Sequence, residues 1–380
     1  MSAAEAGALL ADALTRRWYG ANDRSVAAAE VLADEVVDEG LHLRWVLLGV
    51  RFTDGEQATY QLVVDDRTGE DALARPEVLR WLLPSLPVGT VAELGGEQSN
   101  TSLVVDGAVI VKVFRRLGEP GERNPDVEVT EALWAAGFRS VAEPMGHAER
   151  DGRDLAVATR YLARSSSGWQ MALDDPYFMD EVRDLGVVTA RMHVALAACF
   201  GSSPATPGPW VEAMRNQAAR VPLPDGLDAA VAERYGAFAA AADLGAAMRI
   251  HGDLHLGQVL HWRGDWYVLD FEGEPARPLA ERVAPSSPLR DVAGMLRSFG
   301  YAAAVGGLPP VWEREARQRF WQGYRSVSEV AGLLPEAPEA VDALLAVFEL
   351  DKAIYEVGYE RASRPTWEHV PLAAVRRIVS

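Results

Sequence analysis

The residues with the clearest potential for chemistry lie in the segment His251-Gly-Asp-Leu-His-Leu-Gly-Gln258 and at Asp270, which ends the following β-like run. Asp253 follows a glycine, and Gln258 comes five residues later. A phosphoryl-transfer site needs an aspartate that receives the proton of an acceptor hydroxyl, an amide oxygen, and a second aspartate that holds Mg²⁺ against the phosphates. The order and spacing therefore predict Asp253 as the catalytic residue and Gln258 and Asp270 as Mg²⁺ ligands.

Each half of this pattern also has an ordinary structural explanation. A turn capped by an aspartate, or an aspartate at the end of a strand, occurs in many α/β proteins. Protein kinases combine H-R-D-x-x-x-x-N with a later D-F-G. Here H-G-D-x-x-x-x-Q precedes D-F-E. The two halves together favour a kinase-like site, in which Glu272 is predicted to reach either the metal or the acceptor molecule through water.

Two histidines and a later aspartate are predicted to shape this loop. His251 and His255 flank Asp253, but a zinc site is not favoured because oxygen ligands surround them and no cysteine accompanies them. We expect His251 to hold the loop by hydrogen bonds. Asp291 is expected either to cap the helix that follows it or to brace the catalytic loop, and the two roles are compatible.

A second group of residues is predicted to bind a nucleotide. The turn-forming stretch 93–102 precedes the apolar run 108–114, which contains Lys112. A kinase covers the phosphates with a small-residue loop and grips them with a strand lysine. The glycine pattern here is not G-x-G-x-x-G, so the loop alone is weak evidence. The predicted nucleotide-binding residues are Gly96, Ser99, Asn100, Lys112 and Glu128.

Lys112 needs an anionic partner if it lies within an apolar strand. Glu128 is the expected partner and Glu131 the alternative, on a helix that Asn124 and Pro125 are suited to begin. The competing interpretation is a lysine at a strand edge that reaches water.

Length and charge limit the classes of protein to consider. A chain of 380 residues predicts two or three domains. The net charge of −18 argues against nucleic-acid and anionic-membrane partners. No apolar stretch approaches 18 residues and the first twenty residues do not resemble a signal peptide, so a cytoplasmic protein is expected. The single cysteine excludes an internal disulfide.

The pattern along the chain predicts three segments. Residues 1–88 combine a helix with β-rich runs, including a hairpin turn at 53–56, and are predicted to form an N-terminal module of their own. Residues 89–163 read as a twisted sheet with one helix, and residues 164–380 as a mostly helical lobe that contains the catalytic segment. The polar stretch that begins at Arg164 is where two lobes would join.

Five separated motifs carry a resemblance to a known family. The segment His251-Gly-Asp-Leu-His resembles the Brenner motif of the aminoglycoside-phosphotransferase and choline-kinase superfamily. Actinobacterial maltokinases are similar in the same order from about residue 95 to residue 364, with the motifs Gly96-Glu-Gln-Ser-Asn-Thr-Ser102, Asn124-Pro-Asp-Val-Glu128, His251-Gly-Asp-Leu-His-Leu-Gly-Gln258, Asp270-Phe-Glu-Gly-Glu-Pro275 and Asp291-Val-Ala-Gly-Met-Leu-Arg-Ser298.

The resemblance implies an α+β fold of the bilobal, eukaryotic protein kinase-like, aminoglycoside-phosphotransferase type, with an N-terminal maltokinase-like cap. It implies ATP- and Mg²⁺-dependent phosphorylation of a small-molecule sugar. By the same resemblance, Lys112 and Glu128 form the pair that stabilises the smaller lobe, and Gln258 replaces the kinase asparagine as metal ligand.

Departures from the maltokinases bear on the substrate. The chain is short for a maltokinase, and residues 17–22 lack the basic residue that usually follows the glycine there. Shorter relatives include glucosamine kinases that phosphorylate the 6-hydroxyl, so glucosamine is expected ahead of maltose. An aminoglycoside or other amino-alcohol kinase and a non-catalytic kinase-fold binding module are the alternatives. The sequence gives no indication of oligomeric state.

A protonated amino sugar needs a carboxylate near its amine. The last long helix offers acidic and tyrosine side chains, whose competing interpretation is a solvated surface with i,i+4 pairs. The predicted substrate residues are His255, Glu349, Asp351, Tyr355 and Glu356.

Overall fold

The structure is a computed structural model that describes residues 3–19, 24–95, 100–175, 177–224, 226–274, 277 and 279–380. It is a mixed α+β protein that divides into two compact units. The first contains residues 1–131 and 142–163, and the second contains residues 132–141 and 164–380. The first unit therefore ends at the predicted lobe junction.

The first unit is built on two antiparallel sheets, with strand orders β1-β2-β3-β7 and β4-β5-β6-β9-β8. Its elements are α1 (Ala3–Ala13), β1 (Val26–Asp38), β2 (Leu43–Phe52), β3 (Gln57–Asp65), α2 (Pro76–Leu82), β4 (Val91–Glu93), β5 (Asn100–Val105), β6 (Val109–Phe114), β7 (Arg116–Leu117), the start of α3 (Pro125–Ala135), β8 (Pro144–Arg150) and β9 (Arg153–Arg160). The predicted hairpin at 53–56 and the predicted helix start at Pro125 are both confirmed.

Residues 1–88 and 89–163 share one hydrophobic core in this unit. Trp45 on β2 packs in the same cluster as Leu103 on β5 and Val111 on β6. The buried Gln61 on β3 accepts a hydrogen bond from the Trp45 indole (2.8 Å) and donates to the carbonyl of Phe114 (2.7 Å). Apolar burial and hydrogen-bonded polar groups thus join residues 1–88 to the sheet of residues 89–163, which is predicted to be the smaller lobe. Whether residues 1–88 form a maltokinase-like cap remains a prediction.

The second unit is mostly helical, with a small sheet β10-β13-β14 and the pair β11-β12. Its elements are β10 (Ser166–Ser167), α4 (Gly168–Asp174), α5 (Phe178–Phe200), β11 (Ser202–Pro204), α6 (Pro207–Arg220), α7 (Leu227–Ala239), β12 (Ala246–Met248), β13 (Val259–Trp262), β14 (Asp265–Val268), α8 (Leu279–Arg282), α9 (Pro288–Val305), α10 (Pro310–Arg325), α11 (Pro338–Ser363) and α12 (His369–Val379).

Helix α9 lies at the centre of this unit. Twelve of its residues are buried, because apolar side chains cover most of its circumference. Ser287 caps the helix by accepting a hydrogen bond from the amide of Leu289 (3.2 Å), and Pro288 occupies the first turn. The prediction that Asp291 caps this helix is therefore wrong, because the helix begins earlier and Asp291 lies inside it.

Among the helices in the described ranges, none combines the length and the apolar character that crossing a lipid bilayer requires.

Candidate active site

The hairpin β13–β14 positions the two predicted metal ligands. Its strands pair from Val259↔Val268 at the open end to Trp262↔Asp265 at the turn. Beyond the open end, the amide of Leu269 donates to the carbonyl of Gln258 (2.9 Å), so the residues just outside the hairpin lie side by side. The side-chain amide nitrogen of Gln258 donates to Oδ2 of Asp270 (3.0 Å). Local antiparallel pairing thus brings together two residues twelve positions apart.

The backbone of Asp270 adopts a left-handed conformation, with φ of 62°. This conformation is unfavourable for a residue other than glycine, and such residues cluster at functional sites. Carboxylate and amide oxygens are the ligands that Mg²⁺ prefers, so the donor set of Gln258 and Asp270 fits this ion. Glu272 follows two residues later, and its main-chain carbonyl accepts a hydrogen bond from Arg282 (2.8 Å); its role at the metal stays a prediction.

Asp291 on α9 braces the catalytic loop, as predicted. Its carboxylate accepts hydrogen bonds from the amides of His251 (2.8 Å) and Gly252 (2.9 Å) and from Nε2 of His193 (3.0 Å). Burial alone would raise the pKa of Asp291, but the hydrogen bonds from His193 and the loop amides lower it. Tyr324 holds the other nitrogen of the His193 ring at 2.8 Å. A buried anion thus fixes the backbone just before Asp253.

His251 connects the loop to the metal side of the site. Its Nε2 contacts the carbonyl of Leu269 at 2.8 Å, and its Nδ1 accepts the amide of Asp253 at 3.3 Å. The prediction that His251 holds the loop by hydrogen bonds is therefore confirmed. The loop also packs closely against α9 at Gly294. A side chain there would not fit, because its Cβ would lie 2.5 Å from the carbonyl oxygen of Leu254.

The carboxylate of Asp253 faces a lysine from the last long helix. Nζ of Lys352 on α11 donates to Oδ1 of Asp253 (2.8 Å) and to Oε1 of the buried Glu274 (2.7 Å). Nε2 of His255 lies 3.9 Å from the other oxygen, Oδ2. Burial would lower the pKa of Lys352, but Asp253 and Glu274 raise it well above its usual value, so the ammonium stays charged.

Sequence reasoning missed Lys352 and Glu274 as parts of this site. A signal for the lysine was present, because only two of the 37 basic residues in the chain are lysines. Lys352 is one, and the other is Lys112, the predicted phosphate-gripping residue. Because arginine serves at every other basic position and the two residues are not interchangeable, both lysines are candidates for a specific role. No comparable signal marks Glu274 among the 55 acidic residues.

The acidic side chains of α11 form buried ion pairs with arginines from other helices. The interpretation of these acids as a solvated helix surface is wrong, because the side chains of Glu349, Asp351 and Glu356 are at most 13% exposed. The pairs are Glu349 with Arg317 (2.6 Å), Asp351 with Arg290 (2.7 Å) and Glu356 with Arg297 (2.6 Å).

His255 and Tyr355 lie beside the ion pair of Asp253 and Lys352, since Nε2 of His255 is 3.9 Å from Oδ2 of Asp253. The Tyr355 ring lies beside Lys352, with Nζ 5.0 Å from the ring centroid. Substrate binding by His255, Tyr355 and the three acids stays a prediction.

In the first unit, the predicted phosphate-binding lysine forms an ion pair. Nζ of Lys112 on β6 donates to Asp126 (3.0 Å), which lies two residues before the expected partner Glu128. The side chain of Asn124 accepts the Asp126 amide (2.8 Å) and so fixes the first turn of α3. The Lys112–Glu128 pair stays a prediction.

The remaining predicted nucleotide-binding residues lie around β5. Asn100 begins this strand, and its side chain accepts the amide of Arg115 at 3.4 Å. Gly96 and Ser99 lie outside the described residues.

A braced loop that carries an aspartate, next to a hairpin that pairs a glutamine with a second aspartate, is the arrangement that a phosphotransferase of the kinase-like class needs. Comparison with known proteins agrees: residues 90–330 match the model of the phosphotransferase enzyme family. The chain belongs to this family. The predicted enzyme class, a phosphotransferase with an alcohol group as acceptor, is therefore confirmed.

Two relatives and one solved structure are particularly similar. A glucosamine kinase from Streptacidiphilus jiangxiensis is 31% identical over 86% of this chain and 84% of its own length. A glucosamine kinase from Mycolicibacterium smegmatis (strain ATCC 700084 / mc(2)155) is 30% identical over 73% of this chain and 77% of its own. A crystal structure of a glucosamine kinase is 26% identical and superposes with a TM-score of 0.72, covering 94% of this chain and 95% of its own. The predicted kinase-like α+β fold is confirmed.

Proposed function

We propose that this protein is a glucosamine kinase, which transfers the γ-phosphoryl group of ATP to the 6-hydroxyl of glucosamine with Mg²⁺ as cofactor. The glucosamine kinases at 31% and 30% identity support this substrate. The observation that carries the chemistry is the loop held by Asp291. It presents Asp253 on one side of His251, while Gln258 and Asp270 lie together on the other.

In this proposal Asp253 receives the acceptor hydroxyl through Oδ2, because Lys352 already occupies Oδ1. Proton transfer to a positioned carboxylate contributes about 10²- to 10⁴-fold to the rate. Mg²⁺, when bound, neutralises charge that develops on the phosphates. Gln258 and Asp270 would hold it, with Glu272 contributing through water, and Lys112 would grip the α- and β-phosphates.

A neutral sugar such as maltose is the second candidate, and one observation favours it. The three acids of α11 that were expected to compensate a protonated amine are each engaged by an arginine. A desolvated ammonium without a carboxylate partner costs several kcal/mol. An uncharged sugar carries no such cost.

A panel of acceptors separates these candidates. Turnover of [γ-³²P]ATP is measured with glucosamine, glucose, maltose and kanamycin, with and without Mg²⁺. We expect glucosamine to give the highest kcat/KM and Mg²⁺ removal to abolish turnover. A higher kcat/KM for maltose than for glucosamine would refute the glucosamine proposal and support maltose as the acceptor. Turnover of kanamycin alone would refute both.

The remaining features of the proposal concern partners and location. A small amino sugar is the proposed acceptor partner, and the net charge of −18 supports the expectation of no nucleic-acid partner. We propose a cytoplasmic location, where ATP and a phosphorylated sugar would both be retained.

A further inference from the structure

Lys352 occupies a position that the phosphoryl-transfer chemistry does not by itself require. Its ammonium group donates two hydrogen bonds, one to Asp253 and one to Glu274. Glu274 is held in turn by the Nε of Arg277, so its carboxylate is a rigid anchor. Lys352 therefore cannot leave Asp253 without breaking a buried ion pair, and it engages one oxygen of the proposed base, Oδ1.

The surroundings of Asp253 are electrically balanced by this lysine. Among the described side chains that are at most 20% exposed, three carboxylates and three cations form one connected buried cluster: Asp253, Glu274 and Asp351 with Lys352, Arg277 and Arg290. Arg277 also lies 3.7 Å from Glu281, which is exposed to solvent and therefore screened. Without Lys352 the cluster would carry one excess negative charge and would attract an ammonium group. With Lys352 present, a second ammonium beside Asp253 meets a like charge at close range.

Position also distinguishes this lysine from the other cations of the cluster. Arg277 and Arg290 contact Glu274 and Asp351, whereas Lys352 is the described basic residue that hydrogen-bonds Asp253. The ammonium of Lys352 is a compact point charge, whereas a guanidinium is a planar fork, so an arginine at this position would not make the contacts with Asp253 and Glu274 in the same geometry. The use of a lysine in a chain that otherwise uses arginine agrees with this requirement.

We propose that Lys352 is a positioning and specificity residue, which orients Asp253 and excludes a positively charged substituent next to the reacting hydroxyl. An amino sugar is then phosphorylated at a hydroxyl remote from its amine. In glucosamine the amine at C2 lies across the ring from the 6-hydroxyl, whereas the hydroxyls at C1 and C3 are its neighbours. This inference rests on the proposed function and gives a physical reason for its regiochemistry.

The first test compares two cationic sugars of equal size. Glucosamine carries its amine far from the 6-hydroxyl, and 4-amino-4-deoxyglucose carries it nearby. The ratio of their kcat/KM values is measured at a pH where both amines are protonated. We expect the native enzyme to prefer glucosamine by about tenfold or more, and Lys352→Met to reduce this preference about fivefold while lowering kcat for both sugars.

Two variants serve as controls. Lys352→Arg keeps the charge but not its geometry, so kcat should fall about tenfold while the preference for glucosamine remains. Arg361→Met removes an exposed cation of the same helix, whose partner is Glu368 at 2.7 Å, and should change neither quantity. An unchanged preference in Lys352→Met, or full activity in Lys352→Arg, would show a merely structural ion pair and overturn the proposal.

A second measurement does not depend on turnover. Protein labelled with ¹⁵N-lysine has two side-chain signals, because the chain has two lysines, and Lys352→Met identifies one of them. We expect Asp253→Asn and the addition of glucosamine each to shift the Lys352 signal. A signal insensitive to Asp253→Asn would overturn the inference. If the Lys352 signal responds to Asp253→Asn but no sugar is phosphorylated, the glucosamine kinase proposal fails while the positioning of Asp253 stands.

Discussion

Two regions of the helical unit are rich in carboxylates, with five in residues 251–274 and six in helix α11, and the two regions use them differently. In residues 251–274 the carboxylates are placed by the backbone and by short contacts: Asp291 of α9 accepts the loop amides just before Asp253, and Asp270 accepts a hydrogen bond from Gln258. Along α11, Glu349 and Glu356 are each bound by an arginine of a neighbouring helix. The first arrangement positions charges for chemistry, whereas the second joins helices to one another.

The difference shows what separates a functional acid from a structural one. Both carboxylate oxygens of Glu349 accept hydrogen bonds from Arg317, and a guanidinium cannot be deprotonated. Asp253 instead has a lysine on one oxygen, while the other oxygen lies 3.9 Å from His255. Burial alone does not distinguish the regions, because both contain deeply buried acids.

The largest expected effect comes from Asp253→Asn, which removes the base and keeps its shape. We expect kcat to fall about 10²- to 10⁴-fold while calorimetric ATP affinity stays nearly unchanged. The matched control is Glu349→Gln on α11, paired with Arg317, which should keep kcat within about twofold. Near-native turnover in Asp253→Asn would refute the assignment of the base, and an equal loss in both variants would remove the contrast between the regions.

An intermediate effect, on stability, is expected from Glu356→Ala. This change leaves Arg297 buried without its carboxylate, since the arginine side chain is only 3% exposed. Removal of one partner of a buried pair lowers the free energy of unfolding by about 3–5 kcal/mol, which urea denaturation measures. The double variant Glu356→Leu with Arg297→Met should recover part of this loss. Unchanged stability with a large rise in KM for glucosamine would instead make Glu356 a substrate ligand, as the sequence predicts.

The smallest expected effect is a pH dependence at Glu274. Burial opposes its ionisation, but Lys352 and Arg277 lower the pKa of Glu274 from 4.5 to about 2. Because the folded-state pKa is depressed, ionised Glu274 stabilises the protein above its unfolded-state pKa, and this contribution is lost as the pH falls toward the folded-state value.

The corresponding measurement is urea unfolding of the native protein and Glu274→Gln between about pH 5 and pH 3. We expect the difference in unfolding free energy between them to shrink as the pH falls through this window. Glu368→Gln, in an exposed pair with Arg361, should show almost no such change. A difference that grows toward low pH would contradict the direction of the pKa shift.

Much of the first region was predictable because its contacts are local in sequence. Gln258 and Asp270 meet across one hairpin, and His251 reaches Leu269 over the same short span. Asp291 was predicted to brace the loop, although its position inside α9 was not, because the helix start depends on Ser287 and Pro288. Antiparallel pairing between strands that are close in sequence determines which of these residues become neighbours, independently of how the helices pack.

The second region was not predictable in the same way. The spacing of acids on α11 shows which residues share a helix face, but not what that face contacts. Arg290, Arg297 and Arg317 come from α9 and α10, up to 61 positions away from their acids. An expected solvent-exposed surface is therefore a buried set of ion pairs.

By itself the sequence determined the chemical class of this protein. The order of Asp253, Gln258 and Asp270 requires only short-range geometry, which their spacing specifies. Only the tertiary structure decided which charges meet: it places Lys352 on Asp253 across 99 positions and engages the acids of α11 with arginines. Charge acts through space rather than along the chain, so the partner of each ion is known only when the helices are packed.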